Sequence, residues 1–257
     1  SFVSRGLGDV YKRQASGGPD SFALLDLAYR SAHRTPRPLH AVTVQHHLRT
    51  EAEDELMAVR GWCEARDITH HRQDLEPPAN PAAARRARYQ ALQTVAFEQD
   101  LPHILLGHHA DDQVESILLA LVRGAGPKGL SGMRDCRDLG GGIQVLRPFL
   151  ETPGKLLRDH ALEHQLPFHD ERGNLDPKSA RGRIRTLIRP QLELLRQGCG
   201  MAIVNNRALM QAAGQALQTQ AKRLAQSEER EVWQRASEGL RLACLLYTSD
   251  AADDIPG

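Results

Sequence analysis

Two short stretches of this sequence contain residue types that could bind phosphate groups and promote their transfer. The first, SGGPDS, consists of Ser16, Gly17, Gly18, Pro19, Asp20 and Ser21. Its two glycines allow a tight turn before a helix, so that backbone N–H groups, hydroxyls and the helix dipole can bind phosphate. A lysine of the Walker type is missing from this stretch. The glycines alone favour an ordinary turn capped by serine, and only the complete string indicates a phosphate-binding loop.

The second stretch, GHHADDQVE at residues 107–115, follows an apolar segment and opens a predicted helix. Asp112 and Glu115 are three residues apart and should lie on one face of that helix. The opposite, apolar face is predicted to contain Val114, Ile117, Leu118 and Leu121. Two carboxylates beside a triphosphate would repel it without a hard divalent cation, so we expect Mg²⁺ on Asp112, with Asp20 as a further ligand. An acidic first turn that stabilises the helix dipole is the alternative, although it leaves the adjacent His108 and His109 unexplained.

The elements that must hold these stretches alternate between helix and strand. Helices are predicted at residues 22–33, 51–66, 82–98, 111–123 and 153–164, and strands at residues 39–44, 103–106 and 143–150. Asn80 and Pro81 are typical of a helix cap followed by a first-turn proline. This alternation favours an α/β fold with a parallel sheet covered by helices on both faces. From Pro190 onward the pattern is almost wholly helical.

The two ends of the chain do not fit this pattern. A phosphate-binding loop normally follows a buried apolar strand, whereas residues 1–14 contain scattered apolar residues and three charged ones after Gly8. We therefore expect a poor or missing first strand. Residues 1–14 and 244–257 resemble translated adapter sequence and are interpreted as non-native, with a divergent strand and a loose tail as the alternative. The remainder is divided into a main domain at 15–195 and the start of a helical domain at 196–243.

Composition limits the function without selecting one. The net charge of +1 neither demands nor excludes a nucleic acid. Between Arg172 and Arg196 there are seven basic residues against two acidic ones, which predicts either a contact with a phosphate backbone or a solvated helix face. The four cysteines form no CxxC pair, which fits a reducing cytoplasm. No apolar run approaches the roughly 20 residues of a membrane span.

The string SGGPDS is similar to the SGGxDS loop of the N-type ATP pyrophosphatases, in which the loop holds the phosphates of ATP. The string GHHADDQVESILLALVRGAGPKGLSGM, at residues 107–133, resembles the tRNA(Ile)-lysidine synthases of that superfamily. Further matches are VQHHLR at 44–49, ARRARY at 84–89, RPFL at 147–150, and Asp170, Asn174, Arg181, Arg183 and Arg185. The resemblance covers about residues 15–225. His47, Gly182 and the missing first strand depart from the family pattern.

The resemblance implies a Rossmann-like domain of the adenine nucleotide alpha hydrolase type, followed by a helical segment. It implies a cytoplasmic ligase that uses ATP and Mg²⁺ to join free L-lysine to the wobble cytidine of tRNA(Ile) with a CAU anticodon. ATP would adenylate the carbonyl oxygen of the cytosine ring, and the side-chain amine of lysine would then displace AMP. Residues 16–21 would bind ATP, and Asp20 and Asp112 would hold Mg²⁺. Arg88, His108 and Glu115 would position the base, stabilise charge or orient the lysine.

Other members of the superfamily and an inactive remnant are the alternatives. A tRNA thiolase of the same superfamily would need paired cysteines for its sulfur chemistry, and the cysteines here are isolated. NAD and GMP synthetases share the phosphate loop but would not explain GHHADDQVES together with ARRARY. The non-enzymatic alternative is a truncated, inactive remnant. Whether the protein forms a homodimer is left open.

Overall fold

The computed structural model of the chain describes residues 11–14, 17–35, 37–45, 52–77, 79–169 and 179–225. Within these residues six strands form one sheet in the order β3-β2-β1-β4-β6-β5. All neighbouring pairs are parallel except β5 and β6 at one edge. The strands are β1 Tyr11–Gln14, β2 Leu39–Gln45, β3 Thr69–Asp74, β4 His103–Leu105, β5 Cys136–Asp138 and β6 Gln144–Leu146.

Helices connect the strands and continue beyond the last one. They are α1 Pro19–Arg34, α2 Ala52–Glu64, α3 Pro81–Glu98, α4 Ala110–Val122, α5 Pro127–Leu130, α6 Gly154–Glu163, α7 Ala180–Arg183, α8 Arg189–Leu195, α9 Cys199–Asn205 and α10 Arg207–Ala225. A π-helical turn, Ile184–Ile188, joins α7 to α8. The predicted cap of α3 is confirmed, because the Asn80 side chain accepts a hydrogen bond of 2.8 Å from the N–H of Ala83. Among the described residues no helix has both the length and the apolar character to cross a membrane.

The sheet is covered by apolar residues on both faces, as a parallel sheet requires. Consecutive residues of β2 show this directly, since Ala41 packs with Phe22 of α1 and Trp62 of α2, whereas Val42 packs with Leu92 of α3 on the other side. Each large apolar side chain buried in this way contributes roughly 1.5–3 kcal/mol. The predicted α/β fold is confirmed.

The first strand agrees with the alternative interpretation of a divergent strand. Residues 11–14 form a strand where the sequence indicated a poor or missing one. Tyr11 is in register with Leu39 of β2 on one side and with His103 of β4 on the other. Parallel ladders on both sides satisfy the backbone hydrogen-bonding groups of this segment whatever its side chains are. The lack of a continuous apolar run was therefore a misleading signal. Residues 1–10 and 226–257 lie outside the described part of the chain.

Two further strands were not predicted, and both lie at the edges of the sheet. β3 has the polar sequence THHRQD and pairs with β2 on one side only, and the residues of β5 are all exposed. Edge strands need no apolar face, so they lack the signal that marks a buried strand. β6 is shorter than the predicted strand at 143–150.

The helices α9 and α10, which follow the sheet, pack against α4 and α5. Val204 of α9 joins Ala110 and Val114 of α4 in an apolar cluster. Arg207 at the start of α10 is buried and forms ion pairs of 2.7 Å with Asp135 and 2.9 Å with Glu151. The C-terminal run of helices begins at Ala180, ahead of the change in sequence pattern near Pro190. The domain division at residue 195 stays a prediction.

Candidate active site

The two candidate stretches, SGGPDS and GHHADDQVE, meet at the carboxyl edge of the sheet. They follow β1 and β4, which are neighbours, so both loops emerge side by side. Gly107 lies against the first turn of α1, where a Cβ atom would come 3.3 Å from the carbonyl oxygen of Asp20. The glycine therefore allows a close approach of the two backbones. Sequence spacing could not show this contact, although glycine after a buried strand is a recognised signal for it.

Gly17 requires glycine for two reasons. Its φ angle is +77°, and a Cβ atom there would lie 2.5 Å from Cβ of Glu55, at the buried N-terminal part of α2. Its carbonyl oxygen accepts a hydrogen bond of 2.9 Å from the N–H of His169. The loop backbone is thus held from two sides.

The predicted phosphate-binding residues lead directly into α1. Gly17 and Gly18 are buried, Gly18 is the N-cap, and Pro19 begins the helix. Asp20 lies in the first turn of α1, followed by Ser21. Because a glycine cap has no side chain to accept from the first amides, those N–H groups can be used by a bound anion. Ser16 lies outside the described residues.

His109 organises the start of α4. It is the N-cap residue, and its Nδ1 accepts from the N–H of Asp111 at 3.2 Å. In return, the carboxylate of Asp112 accepts from the N–H of His109 at 3.0 Å. This reciprocal pair is a capping box, with histidine in the position usually taken by serine or threonine. The sequence left His109 unexplained, and the structure shows it as a helix cap.

The same imidazole connects the two stretches. Nε2 of His109 lies 3.2 Å from Asp20 Oδ2 and 3.5 Å from Asp112 Oδ2. Asp20 and Asp112 therefore lie on either stretch with their carboxylates against one imidazole nitrogen. Burial alone would lower the pKa of His109, but the hydrogen bond to Asp20 and the charges of Asp112, Asp20 and Asp111 raise it to about 9.

Protonation of His109 affects its capping role. The neutral ring accepts at Nδ1 and donates from Nε2 to Asp20, whereas the cation has a proton on both nitrogens. The protonated Nδ1 must then give up the N–H of Asp111 and turn to the carboxylate of that residue, 3.8 Å away. Asp111 thus offers a partner for either protonation state.

Two arginines from the π-helical region point at α4 and were not predicted as part of this site. Nε of Arg185 donates to Glu115 Oε1 at 2.6 Å, and the Arg185 guanidinium also lies 3.6 Å from Asp112. Arg189 forms an ion pair of 2.7 Å with Asp111. The basic stretch between Arg172 and Arg196 was a candidate contact for a phosphate backbone. These two of its arginines instead face the acidic residues of α4. π-Helical turns often occur at functional sites.

The expectation that Asp112 and Glu115 both lie away from the packed side of α4 is wrong for Glu115. Its side chain is 0% exposed, and among the described residues Oε2 has no hydrogen-bond partner. Leu121, which we placed on the apolar face, is 58% exposed. The buried side of α4 therefore includes Glu115 with Val114 and Ile117, because Arg185 covers the carboxylate.

His108 is the second predicted histidine, and its environment differs from that of His109. Burial lowers its pKa to about 4; the charge of Asp112 opposes this shift, and the charges of Arg147, Arg85 and Arg181 add to it. The ring is consequently neutral at pH 7. Arg147 is buried and fixed, since it donates to the carbonyl oxygen of Arg134 at 2.8 Å and to the Tyr89 hydroxyl at 3.0 Å.

The remaining predicted residue, Arg88, lies partly buried on α3 next to Tyr89. Its catalytic role stays a prediction. Carboxylate oxygens are the ligands that a hard divalent cation prefers, and those of Asp20 and Asp112 both lie at the imidazole of His109 beside the glycine loop, so the pair fits such a cation. The buried, unpartnered oxygen of Glu115 belongs to the same helix, three residues after Asp112.

The parallel sheet, the glycine loop before α1 and the acidic start of α4 define an α/β nucleotide-binding domain of the phosphate-loop type. The family profile of the PP-loop domain matches residues 14–192. The chain belongs to the PP-loop family, whose members use ATP.

Curated relatives agree with the narrower resemblance. A tRNA(Ile)-lysidine synthase of Polaromonas naphthalenivorans is 40% identical over 184 residues, which cover 69% of this chain and 54% of that protein. A bifunctional TilS/HprT protein of Listeria innocua is 38% identical over 186 residues, which cover 69% of this chain and 28% of that protein. The resemblance to tRNA(Ile)-lysidine synthases is thereby confirmed. The chain spans about half or less of the length of these two relatives.

Among solved structures, the chain is similar to the U34-tRNA thiolase NcsA from Methanococcus maripaludis with its [4Fe-4S] cluster. The TM-score is 0.67 at 20% identity, covering 80% of this chain and 74% of the thiolase. This likeness supports the fold. In the part of the chain that the structure describes, Cys63, Cys136 and Cys199 lie in three separate elements.

Proposed function

We propose that this chain carries the catalytic domain of a tRNA(Ile)-lysidine synthase, which ligates L-lysine to the wobble cytidine of tRNA(Ile) with a CAU anticodon. The observation that supports this most strongly is the convergence of Asp20 and Asp112 on His109, between a phosphate loop and a helix that match the lysidine synthases in sequence. The similarity to proteins of that name supports the same reaction. A cytoplasmic location follows from this proposal.

In the first step, the carbonyl oxygen of the cytosine ring attacks the α-phosphorus of ATP, and the bond to pyrophosphate breaks. Residues 16–21 hold the phosphates in this proposal, with N–H groups of the first turn of α1 as donors. Negative charge on the leaving pyrophosphate needs positive charge nearby, since charge spreads over the transferring group in the transition state. Mg²⁺ held by Asp20 and Asp112 supplies that charge when bound.

In the metal-free site, protonated His109 is the positive charge that faces the two carboxylates. With a pKa of about 9, its ring carries a proton at neutral pH and lies directly between the two carboxylates. It therefore limits the repulsion between Asp20 and Asp112 before a nucleotide arrives. Arg185 and Arg189 have the same effect on Glu115, Asp112 and Asp111.

In the second step, the side-chain amine of lysine attacks the activated ring carbon, and AMP leaves with the oxygen. An attacking amine must lose protons, and the buried Oε2 of Glu115 is an acceptor that could orient it. Neutral His108 can hydrogen-bond the base through Nδ1, which has no partner among the described residues. Arg88 is proposed to stabilise negative charge on the departing AMP.

Release of pyrophosphate from ATP in the presence of unmodified tRNA(Ile) tests the adenylation step. We expect release with this tRNA and much less with a transcript whose wobble position carries uridine, because uridine lacks the cytosine amino group. Asp112→Asn should reduce the rate by at least about a hundredfold, while Asp138→Asn on the exposed strand β5 should leave it unchanged. Equal rates for the two variants would refute the assignment of Asp112.

A further inference from the structure

A second group of potential metal ligands lies between α1 and α6, outside the candidate active site. It consists of Asp26 of α1 and of His160 and His164, at and just after the end of α6. Asp26 is only 3% exposed, and both histidines are partly buried. One ligand atom from each residue lies within 4.8 Å of the other two.

The arrangement is close to that of a metal site. His160 Nε2 lies 2.8 Å from Asp26 Oδ2, and the rings of His160 and His164 are 4.3 Å apart between centroids. Histidines four residues apart on a helix face the same side, so both can reach one ion. In a tetrahedral zinc site with bonds of about 2.0–2.1 Å, neighbouring ligand atoms are about 3.3 Å apart. Small side-chain movements would produce that geometry from the present one.

We propose that Asp26, His160 and His164 bind a divalent transition-metal ion, of which Zn²⁺ is the representative. Two imidazole nitrogens and one carboxylate oxygen are ligands typical of zinc, with water in the fourth position, whereas Mg²⁺ prefers oxygen ligands alone. The proposed site is therefore chemically distinct from the carboxylate pair at Asp20 and Asp112.

Arg30 is a built-in competitor for this ion. Its Nε lies 2.6 Å from the same Oδ2 of Asp26, and its side chain is half exposed. The guanidinium neutralises the buried carboxylate when no ion is bound, and it can swing into solvent when one binds. Removing Arg30 should therefore strengthen metal binding, an effect that a merely structural hydrogen bond between Asp26 and His160 does not predict.

The position of the site indicates what a bound ion would do. α1 begins at the phosphate loop, and α6 packs against it. Bonds from one ion to both helices would fasten α1 to α6 in addition to the apolar contacts at Phe22, Leu25 and Ala161. Because the ion binds the folded state, it should raise the melting temperature.

Titration of the untagged, metal-free protein with Zn²⁺ and with Co²⁺ tests this proposal without reference to catalysis. The readouts are calorimetry for Zn²⁺, the ligand-field absorption spectrum for Co²⁺, and the melting temperature. We expect one ion to bind per chain. His164→Ala and Asp26→Asn should each weaken its affinity by more than about tenfold, and Arg30→Gln should strengthen it. The matched controls are His33→Gln and Arg34→Gln, exposed residues of α1 that should change nothing.

Circular dichroism would verify that each variant is folded before the titrations are compared. Loss of the Co²⁺ spectrum in His164→Ala, together with tighter binding by Arg30→Gln, would support the site. Absence of stoichiometric binding by the parent protein, or equal binding by the parent protein and His164→Ala, would overturn it.

Discussion

Nε2 of His109 lies 3.2 Å from Oδ2 of Asp20, so the residue that caps α4 contacts the first turn of α1. Two helices that follow neighbouring strands are thereby joined at their N-termini. The same ring lies 3.5 Å from Asp112, which makes it the common neighbour of both proposed magnesium ligands. The candidate active site is consequently assembled around a histidine whose role the sequence left open.

The pH dependence of stability should reflect His109. Its pKa is raised from 6.5 to about 9 in the folded protein, so the folded state binds the proton more tightly than the unfolded chain. The stabilisation is fully present below pH 6.5 and is lost as the pH rises through 9. Urea unfolding of the magnesium-free protein between pH 6 and 10 should show this loss, and His109→Gln should remove most of it. An unchanged slope in the variant would contradict the assigned ion pairs.

Glu115 should prove important for folding as well as for catalysis. Replacing it with glutamine removes the charge that Arg185 faces, and Arg185 is only 27% exposed. We expect a loss of about 2 kcal/mol in the free energy of unfolding, less than for a fully buried pair because Arg185 reaches solvent. Asp112→Asn is the matched control, since Asp112 lies farther from Arg185, at 3.6 Å, and should cost less than about 1 kcal/mol. Denaturant titration of both variants decides between the two residues.

Gly17 and Gly124 allow the cost of steric overlap in the phosphate loop to be separated from the cost of backbone conformation. Their φ angles are +77° and +73°, but a Cβ atom at Gly17 would overlap Glu55, whereas nothing lies within 4 Å of one at Gly124. Gly124→Ala should cost about 1 kcal/mol, and Gly17→Ala should cost clearly more. ATP binding, measured by calorimetry, should be lost only in Gly17→Ala. Similar behaviour of the two variants would mean that the loop can move away from α2.

The first strand offers a test of its own. Arg13 is in register with Ala41 of β2 and Leu105 of β4, both of which are buried. A β-branched apolar residue has a higher strand propensity than arginine, so it should be favoured here. We expect Arg13→Val to raise the melting temperature. If it does not, the present strand is already adequate, and the interpretation of residues 1–14 as non-native loses its physical support.

The parts of the fold that sequence patterns predicted are those whose buried faces carry apolar side chains. The helices α1 to α4 and the strand β2 have apolar faces at regular spacing, which the pattern of residues records directly. β1, β3 and β5 were missed or misjudged because their pairing depends on neighbours distant in sequence. For the candidate site, SGGPDS and GHHADDQVE located Asp20, Asp112 and Glu115, since short motifs carry their own chemistry.

The partners of those residues were harder to predict. Arg185 and Arg189 come from a segment about 70 residues farther along the chain, and nothing in their spacing shows that they face α4 rather than solvent. The π-helical turn at Ile184–Ile188 changes the helical register between α7 and α8, so a regular helical pattern would have placed their side chains differently. Likewise, the burial of Glu115 follows from its pairing with Arg185 and not from any property of α4.

The most direct test of the central claim is the analysis of tRNA after reaction. The protein would be incubated with ATP, Mg²⁺, isotope-labelled L-lysine and unmodified tRNA(Ile), and the digested nucleosides would be analysed by mass spectrometry. We predict labelled lysine on the cytidine of the CAU anticodon, dependent on ATP and absent with Asp112→Asn. Sulfur incorporation from a supplied donor without lysine, or an unmodified cytidine despite confirmed folding and ATP binding, would contradict this account.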